Sequence, residues 1–282
     1  MNTTEAIMRE HFKMEEVIKI KNKTIHERMR SGPKSTRIVL TDHDTGEVLA
    51  DVHNKVLITG GQFTACKQFG IDPTINFPNY NEDLGLDNTL DYDTIQPKNE
   101  PIICLFCVGN DGCGTLPLDT YPVKYTDRID PKDLIPFRYV DTAHDLNDQM
   151  RRVYFGRKTD FNGMISYYFK VFDTEPQLHL RYLDGTQITP DMYEIDSSQN
   201  AECYVETRLR LTRQDFRDYF EKVTGWDNAV INSLSLLYAW YDDTIDDYLW
   251  YQQVFPFSKL HIPNEYLQDL SKAVDIHYSI YY

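Results

Sequence analysis

The pattern in this chain that most invites metal chemistry is Cys104-x-x-Cys107 with Cys113 nearby, because two thiolates at that spacing supply half of a tetrahedral zinc site. No second Cys-x-x-Cys and no His-x-x-x-His completes the set. If residues 102–108 form a strand, Cys104 and Cys107 also fall on opposite faces, since side chains alternate along a strand. The expectation is therefore core thiols, in keeping with how often cysteine is buried.

The densest acidic cluster is Asp242-Asp243-Thr244-Ile245-Asp246-Asp247. On a helix Asp242 and Asp246 would share a face, as would Asp243 and Asp247, which is similar to the aspartate-rich magnesium motif of terpene synthases. Those enzymes resemble all-helical bundles with a second metal motif, and neither feature is present here. An acidic surface turn, or a calcium-stabilised loop, is the expected reading, with these four aspartates as the candidate cation ligands. Gly109-Asn110-Asp111-Gly112-Cys113-Gly114 lacks the order of a phosphate loop and reads as a flexible turn. Asp42-x-Asp44-x-Gly46 matches the start of a calcium loop but has no acidic residue at its closing position, so a hairpin turn accounts for it. The eight histidines show no metal-ligand spacing, and no Gly-x-Ser-x-Gly is present, so no hydrolase constellation emerges. Arg151-Arg152 and Arg157-Lys158 make a basic island around Tyr154 and Phe155, read as partners for neighbouring carboxylates or an adjoining subunit.

The elements that must position these residues are mostly strands. Residues 37–41 and 47–52 flank Asp42-His43-Asp44-Thr45-Gly46 as a tight hairpin, and the second strand runs on or re-enters through Val56-Leu57-Ile58. Gln62 to Phe69 reads as a short helix after Gly60-Gly61. Residues 71–136 hold eight of the 13 prolines, and only 102–108 reads as a buried strand within them. Further strands are expected over 164–172, 178–183 and 203–211, the last with one charged face. Thr212-Arg213-Gln214-Asp215 resembles a capping box opening a helix that stops before Gly225. Val274 to Tyr282 alternates as a terminal strand held in a sheet. Residues 5–30 lack Pro and Gly and read as a helical arm, stopped by Ser31-Gly32-Pro33. The fold class that follows is mainly β (α+β): an antiparallel β-sandwich or barrel-like core, with an N-terminal helical arm at 1–34 and two or three accessory helices on a β-rich body at 35–282.

The 282 residues carry a formal charge of −15, which argues against a nucleic-acid groove because phosphate binding needs a positive field. The charge is unevenly placed. Residues 1–40 contain nine basic and five acidic residues, a net of +4, so the other 242 carry −19. Arg9, Lys13, Lys19, Lys21, Lys23, Arg28 and Arg30 of the arm, with Arg151 and Arg152, are the candidate interface residues. Twenty tyrosines, 14 phenylalanines and three tryptophans suit sheets and large subunit contacts. No stretch is long and apolar enough to span a membrane as a helix, no export signal is visible, and five cysteines without framework spacing imply thiols made in a cytoplasm. No cofactor is expected.

The hairpin from Arg37 to Val52 with its Asp44-Thr45-Gly46 turn, followed by His53-Asn54-Lys55-Val56-Leu57-Ile58-Thr59-Gly60-Gly61-Gln62-Phe63-Thr64-Ala65, resembles the opening of virion structural proteins from large tailed bacteriophages. Ile135-Pro136-Phe137-Arg138, the segment from Ile231 to Trp240, and the closing strand from Ile276 to Tyr282 are similar to the same kind of protein. The resemblance implies a tail, baseplate or neck component, made in the host cytoplasm and found in the virion, with other virion proteins and copies of itself as partners. It implies no membrane, no direct nucleic acid, no catalytic residue and no enzyme activity. The alternative is a glycan- or metal-binding β-sandwich module, with a hydrolase as one form of it, using exposed aromatics and Asp242, Asp243, Asp246 and Asp247.

Overall fold

Alternation along some strands and unbroken apolar runs along others set up a two-layer protein, and a computed structural model shows how the layers are arranged. It describes residues 35–56, 60–61, 64, 85–86, 102–110, 131–188, 201–226, 229–241, 251–266 and 273–282. The predicted arm, most of the 62–69 helix, Leu57-Ile58, most of the proline-rich region and the Asp242–Asp247 cluster lie outside these residues.

Twelve strands follow in chain order: β1 (Ser35–Asp42), β2 (Val48–Val56), β3 (Ile102–Gly109), β4 (Leu134–Ile135), β5 (Arg138–Asp141), β6 (Tyr154–Thr159), β7 (Met164–Val171), β8 (Gln177–Tyr182), β9 (Ala201–Leu211), β10 (Val230–Tyr241), β11 (Tyr251–Tyr266) and β12 (Val274–Tyr281). They form two antiparallel sheets of five and seven strands, consistent with a β-sandwich. The smaller sheet runs β2-β1-β12-β9-β8; in the larger, β11-β10-β3-β7 is the spine, with β4 on β3 and β5 and β6 on β7. The sheets join at one corner, where Val56 and Lys55 of β2 pair with Ser258 and Lys259 of β11.

The two sheets treat their outward faces differently, and the sequence says why. In the smaller sheet, β9 and β12 alternate, so Leu209, Leu211, Ile276, Tyr278 and Ile280 point inward while charged residues point out. In the larger sheet, β3 and β10 are apolar on both sides. Phe106, Val108, Leu234 and Leu236, with Phe255 and Phe257 of β11, face the smaller sheet and share one core with Ile38 and Leu40 of β1. Leu105, Cys107, Leu237, Ala239 and Val254 turn the other way into a second buried cluster with Phe155, Phe169 and Leu86. One sheet is thus covered on both faces and the other is open to solvent on one.

Several sequence expectations change in detail. Cys104 and Cys107 do not diverge: the pairing of β3 with β10 shifts register between Leu237 and Tyr238, leaving Cys104 as an extra residue, and both thiols pack on the same second cluster. A bulge resets the alternation on which the opposite-face reading depended. Leu134 and Ile135, placed by the sequence in surface loop, form the buried strand β4 on Val108 and Gly109. β11 carries Pro256 beside the point where its register with β10 shifts, a bulge of the kind at which strands tolerate a missing N–H.

The helices are short. α1 (Asp148–Arg151) is capped by the Asn147 side chain, which accepts from Met150 N. α2 (Arg213–Tyr219) starts in the expected capping box between Thr212 and Asp215, runs on through a wider turn at Phe220–Thr224, and buries Phe216 and Phe220 against Phe137 and the inter-sheet core. In the β1–β2 turn Asp42 Oδ1 accepts from the N–H groups of Asp44 and Thr45 and from the Thr45 hydroxyl, and Gly46 sits at φ 69°. The calcium-like spacing is therefore occupied by turn hydrogen bonds.

Candidate assembly surface

Antiparallel register places residues of neighbouring strands side by side, and on the open face of the smaller sheet it builds rows that cross the strands. One row is aromatic. His179 of β8, Tyr204 of β9 and Tyr281 of β12 occupy one rung of the pairing. Their rings stack in turn, at 4.8 Å between His179 and Tyr204 and 5.2 Å between Tyr204 and Tyr281. The Arg181 guanidinium lies over Tyr204 at 4.9 Å from its ring centre. Burial in this stack raises the Tyr204 phenol above its ordinary pKa, the neighbouring carboxylates add to the rise, and Arg181 works against it.

Ion pairs flank the row. Arg37 of β1 grips Asp51 of β2 with two hydrogen bonds, Nε to Oδ1 at 3.0 Å and a terminal nitrogen to Oδ2 at 2.7 Å, and this pairing raises the arginine pKa further. Arg181 donates to Glu202 at 3.2 Å. Towards the β1–β2 turn, Asp275 accepts from Arg210 Nε at 2.8 Å and lies 2.8 Å from His43 Nδ1, while Arg208 pairs with Asp173 at 2.8 Å. Burial opposes the charge on Asp275, but its hydrogen bonds to Arg210 and His43 outweigh burial and hold the carboxyl below the usual range. The exposed pairs contribute at most about 1 kcal/mol each. Their stronger effect is to hold long side chains in one arrangement.

Where β9 runs into the helix after Thr212, buried Asp215 and, nearer the surface, half-buried Asp145 lock the helices to the larger sheet. Asp215, 1% exposed, accepts from the Tyr154 hydroxyl at 2.5 Å, Lys170 Nζ at 2.9 Å, Thr212 N at 2.7 Å and the Thr212 hydroxyl at 2.8 Å. Asp145 accepts from the Tyr167 hydroxyl at 2.5 Å, Leu146 N at 2.7 Å, Arg151 at 2.8 Å and Arg157 at 3.3 Å. Burial pushes its pKa up, yet these donors together hold it below the ordinary carboxylate value.

The basic island is thereby resolved. Arg151 and Arg157 converge on Asp145, while Arg152 is exposed at the end of α1 and Lys158 lies on β6. The candidate interface residues Arg9, Lys13, Lys19, Lys21, Lys23, Arg28 and Arg30 lie outside the described residues, as do Asp242, Asp243, Asp246, Asp247 and Cys113. Among the described residues, no three His, Cys, Asp or Glu side chains come together as a metal site, and no helix is long and apolar enough to cross a membrane. The outward row His179–Tyr204–Tyr281 and the charges of β1 and β8 were not singled out from the sequence. The alternation of β9 and β12 marked the face, but strand order was needed to place β8 and β1 beside them. No family model, curated protein or solved structure matches this chain.

Proposed function

We propose that this chain is a structural subunit of a tailed-phage virion, in the tail, baseplate or neck, whose work is to be held by its neighbours. The observation that carries this reading is the open face of the smaller sheet, where tyrosine, histidine and arginine are fixed in rows by cross-strand stacking and ion pairs. Tyrosine and arginine are the residue types enriched at protein contacts, and side chains already held in place lose less entropy when a partner arrives. The basic first 40 residues on an acidic body add a second means of attachment through complementary charge. The carboxylates of half-buried Asp145 and buried Asp215 support the same reading, because both are consumed in ties between helix, loop and sheet.

Deletion of residues 1–34 tests the arm's part in this function. The truncated chain is expected to fold, by circular dichroism and thermal melting, and to fail to enter particles in a complementation assay. Normal incorporation of the truncated chain refutes the arm's role. Calorimetry with calcium and magnesium separates the metal-binding alternative: heat and a raised melting temperature at millimolar cation support it.

A further inference from the structure

We infer that the open face of the smaller sheet is where a second copy of this chain docks, an inference that rests on the assembly reading above and names one partner in it. A body carrying −19 beyond its first 40 residues repels its own copies over most of its surface. On this face the balance is different: among the described side chains the four arginines Arg37, Arg181, Arg208 and Arg210 stand among the five carboxylates Asp51, Asp173, Glu202, Glu206 and Asp275, a net of −1. A nearly balanced patch on an acidic protein is where like copies approach at least cost, and alternating signs let one copy's arginines meet the other's carboxylates about a two-fold axis.

The size is also adequate. Five strands with about eight residues each cover roughly 650 Å² of flat sheet at ordinary strand spacing, before side-chain relief is counted. That is close to the roughly 800 Å² per partner of a standard interface. Apolar surface within the patch, from Val39, Tyr281 and Val48 opposite Thr41, supplies the area to be dried; Val48 is 58% exposed. The opposite face of the molecule is unlike this one, because the larger sheet's outer side is already buried under its own cluster.

Sedimentation equilibrium on the full chain, from about 1 to 100 µM, tests the inference. A concentration-dependent dimer is expected, and the double reversal Arg181→Glu/Arg208→Glu is expected to weaken it by at least about tenfold. Reversal of Glu221→Lys, exposed beyond α2 and away from the face, leaves it unchanged. Hydrogen exchange of the unaltered chain gives an answer that does not depend on variants folding: peptides of β8, β9 and β12 gain protection as the dimer forms. A chain that stays monomeric at 100 µM, or a dimer indifferent to the double reversal and protected elsewhere, overturns the inference. A monomer that still enters particles overturns the pairing of copies while leaving the assembly function standing.

Discussion

Replacing Asp215 with Asn removes one negative charge from a site that solvent barely reaches, and the structure sets the cost. The carboxylate receives Lys170 Nζ at 2.9 and 3.1 Å, the Tyr154 hydroxyl at 2.5 Å and two donors from Thr212. All four partners donate to the carboxylate; an amide keeps only one accepting oxygen, and while the Tyr154 and Thr212 hydroxyls can turn to accept from its N–H groups, the Lys170 ammonium and Thr212 N cannot. Lys170, with 12% of its side chain exposed, is left with the Arg210 carbonyl and the faces of Phe137 and Tyr154 as compensation. Stranding a buried charge in this way costs about 3–5 kcal/mol, and weakening the capping box of α2 adds about 1 kcal/mol. At roughly 2–4 °C per kcal/mol for chains of a few hundred residues, the melting temperature falls by about 10 °C or more. Urea and thermal denaturation of Asp215→Asn, Lys170→Met and the double variant provide the assay. Because the penalty lies chiefly in the stranded ammonium, the double variant should recover about half of the loss seen in Asp215→Asn. A single variant within about 1 kcal/mol of the parent, or a double variant showing the sum of the two single losses, would refute the reasoning.

Three further outcomes follow from the same geometry. Asp145 and Asp275 have carboxyls held below the usual range against the pull of burial. Their contribution is therefore complete above about pH 4 and is lost as pH falls through their lower folded values; acid titration followed by tryptophan fluorescence should show cooperative loss of structure below that point, shifted upward in Arg210→Gln. Burial pushes the phenols of Tyr154 and Tyr167 up, with Asp215 and Asp145 adding to it, and burial raises Tyr238 from 10.0 to about 12. These groups stabilise the fold fully below about pH 10 and less as pH rises towards their folded values, so one class of tyrosines should ionise only as the protein unfolds; phenolate absorbance rising in a single step near pH 10 with circular dichroism unchanged would contradict this. Gly156 has φ 71°, and a Cβ there would lie 2.5 Å from the Phe169 ring, whereas Gly163 has φ 78° and open space around it. Gly156→Ala should cost about 2–4 kcal/mol, from strain plus overpacking, and Gly163→Ala about 1–2 kcal/mol, from strain alone; equal losses in equilibrium unfolding would show that the ring contact carries no weight.

Much of the smaller sheet was legible in local pattern. The β1–β2 hairpin was written in Asp42 to Gly46, β9 and β12 in period-two alternation, and the start of α2 in Thr212 and Asp215, because each depends on residues a few positions apart. β10 and β11, the long paired strands of the larger sheet, were not read as a hairpin. Strands buried on both faces show no alternation, and prolines such as Pro256 argue locally against a strand. The same limit applies to Cys104: its facing depends on a bulge fixed by the partner strand, which no local pattern records.

The sequence by itself determined the class of the protein, the uneven placement of its charge and the residues of one polar sheet face, since these depend on composition and on side-chain periodicity. Which face stays open was decided only in the folded chain. Tyr204 and Tyr281 are 77 positions apart in the chain, and His179 lies on another strand again, yet pairing in the sheet makes them neighbours. Long-range strand order, governed by which apolar surfaces can be buried together, turned scattered tyrosines and arginines into one surface.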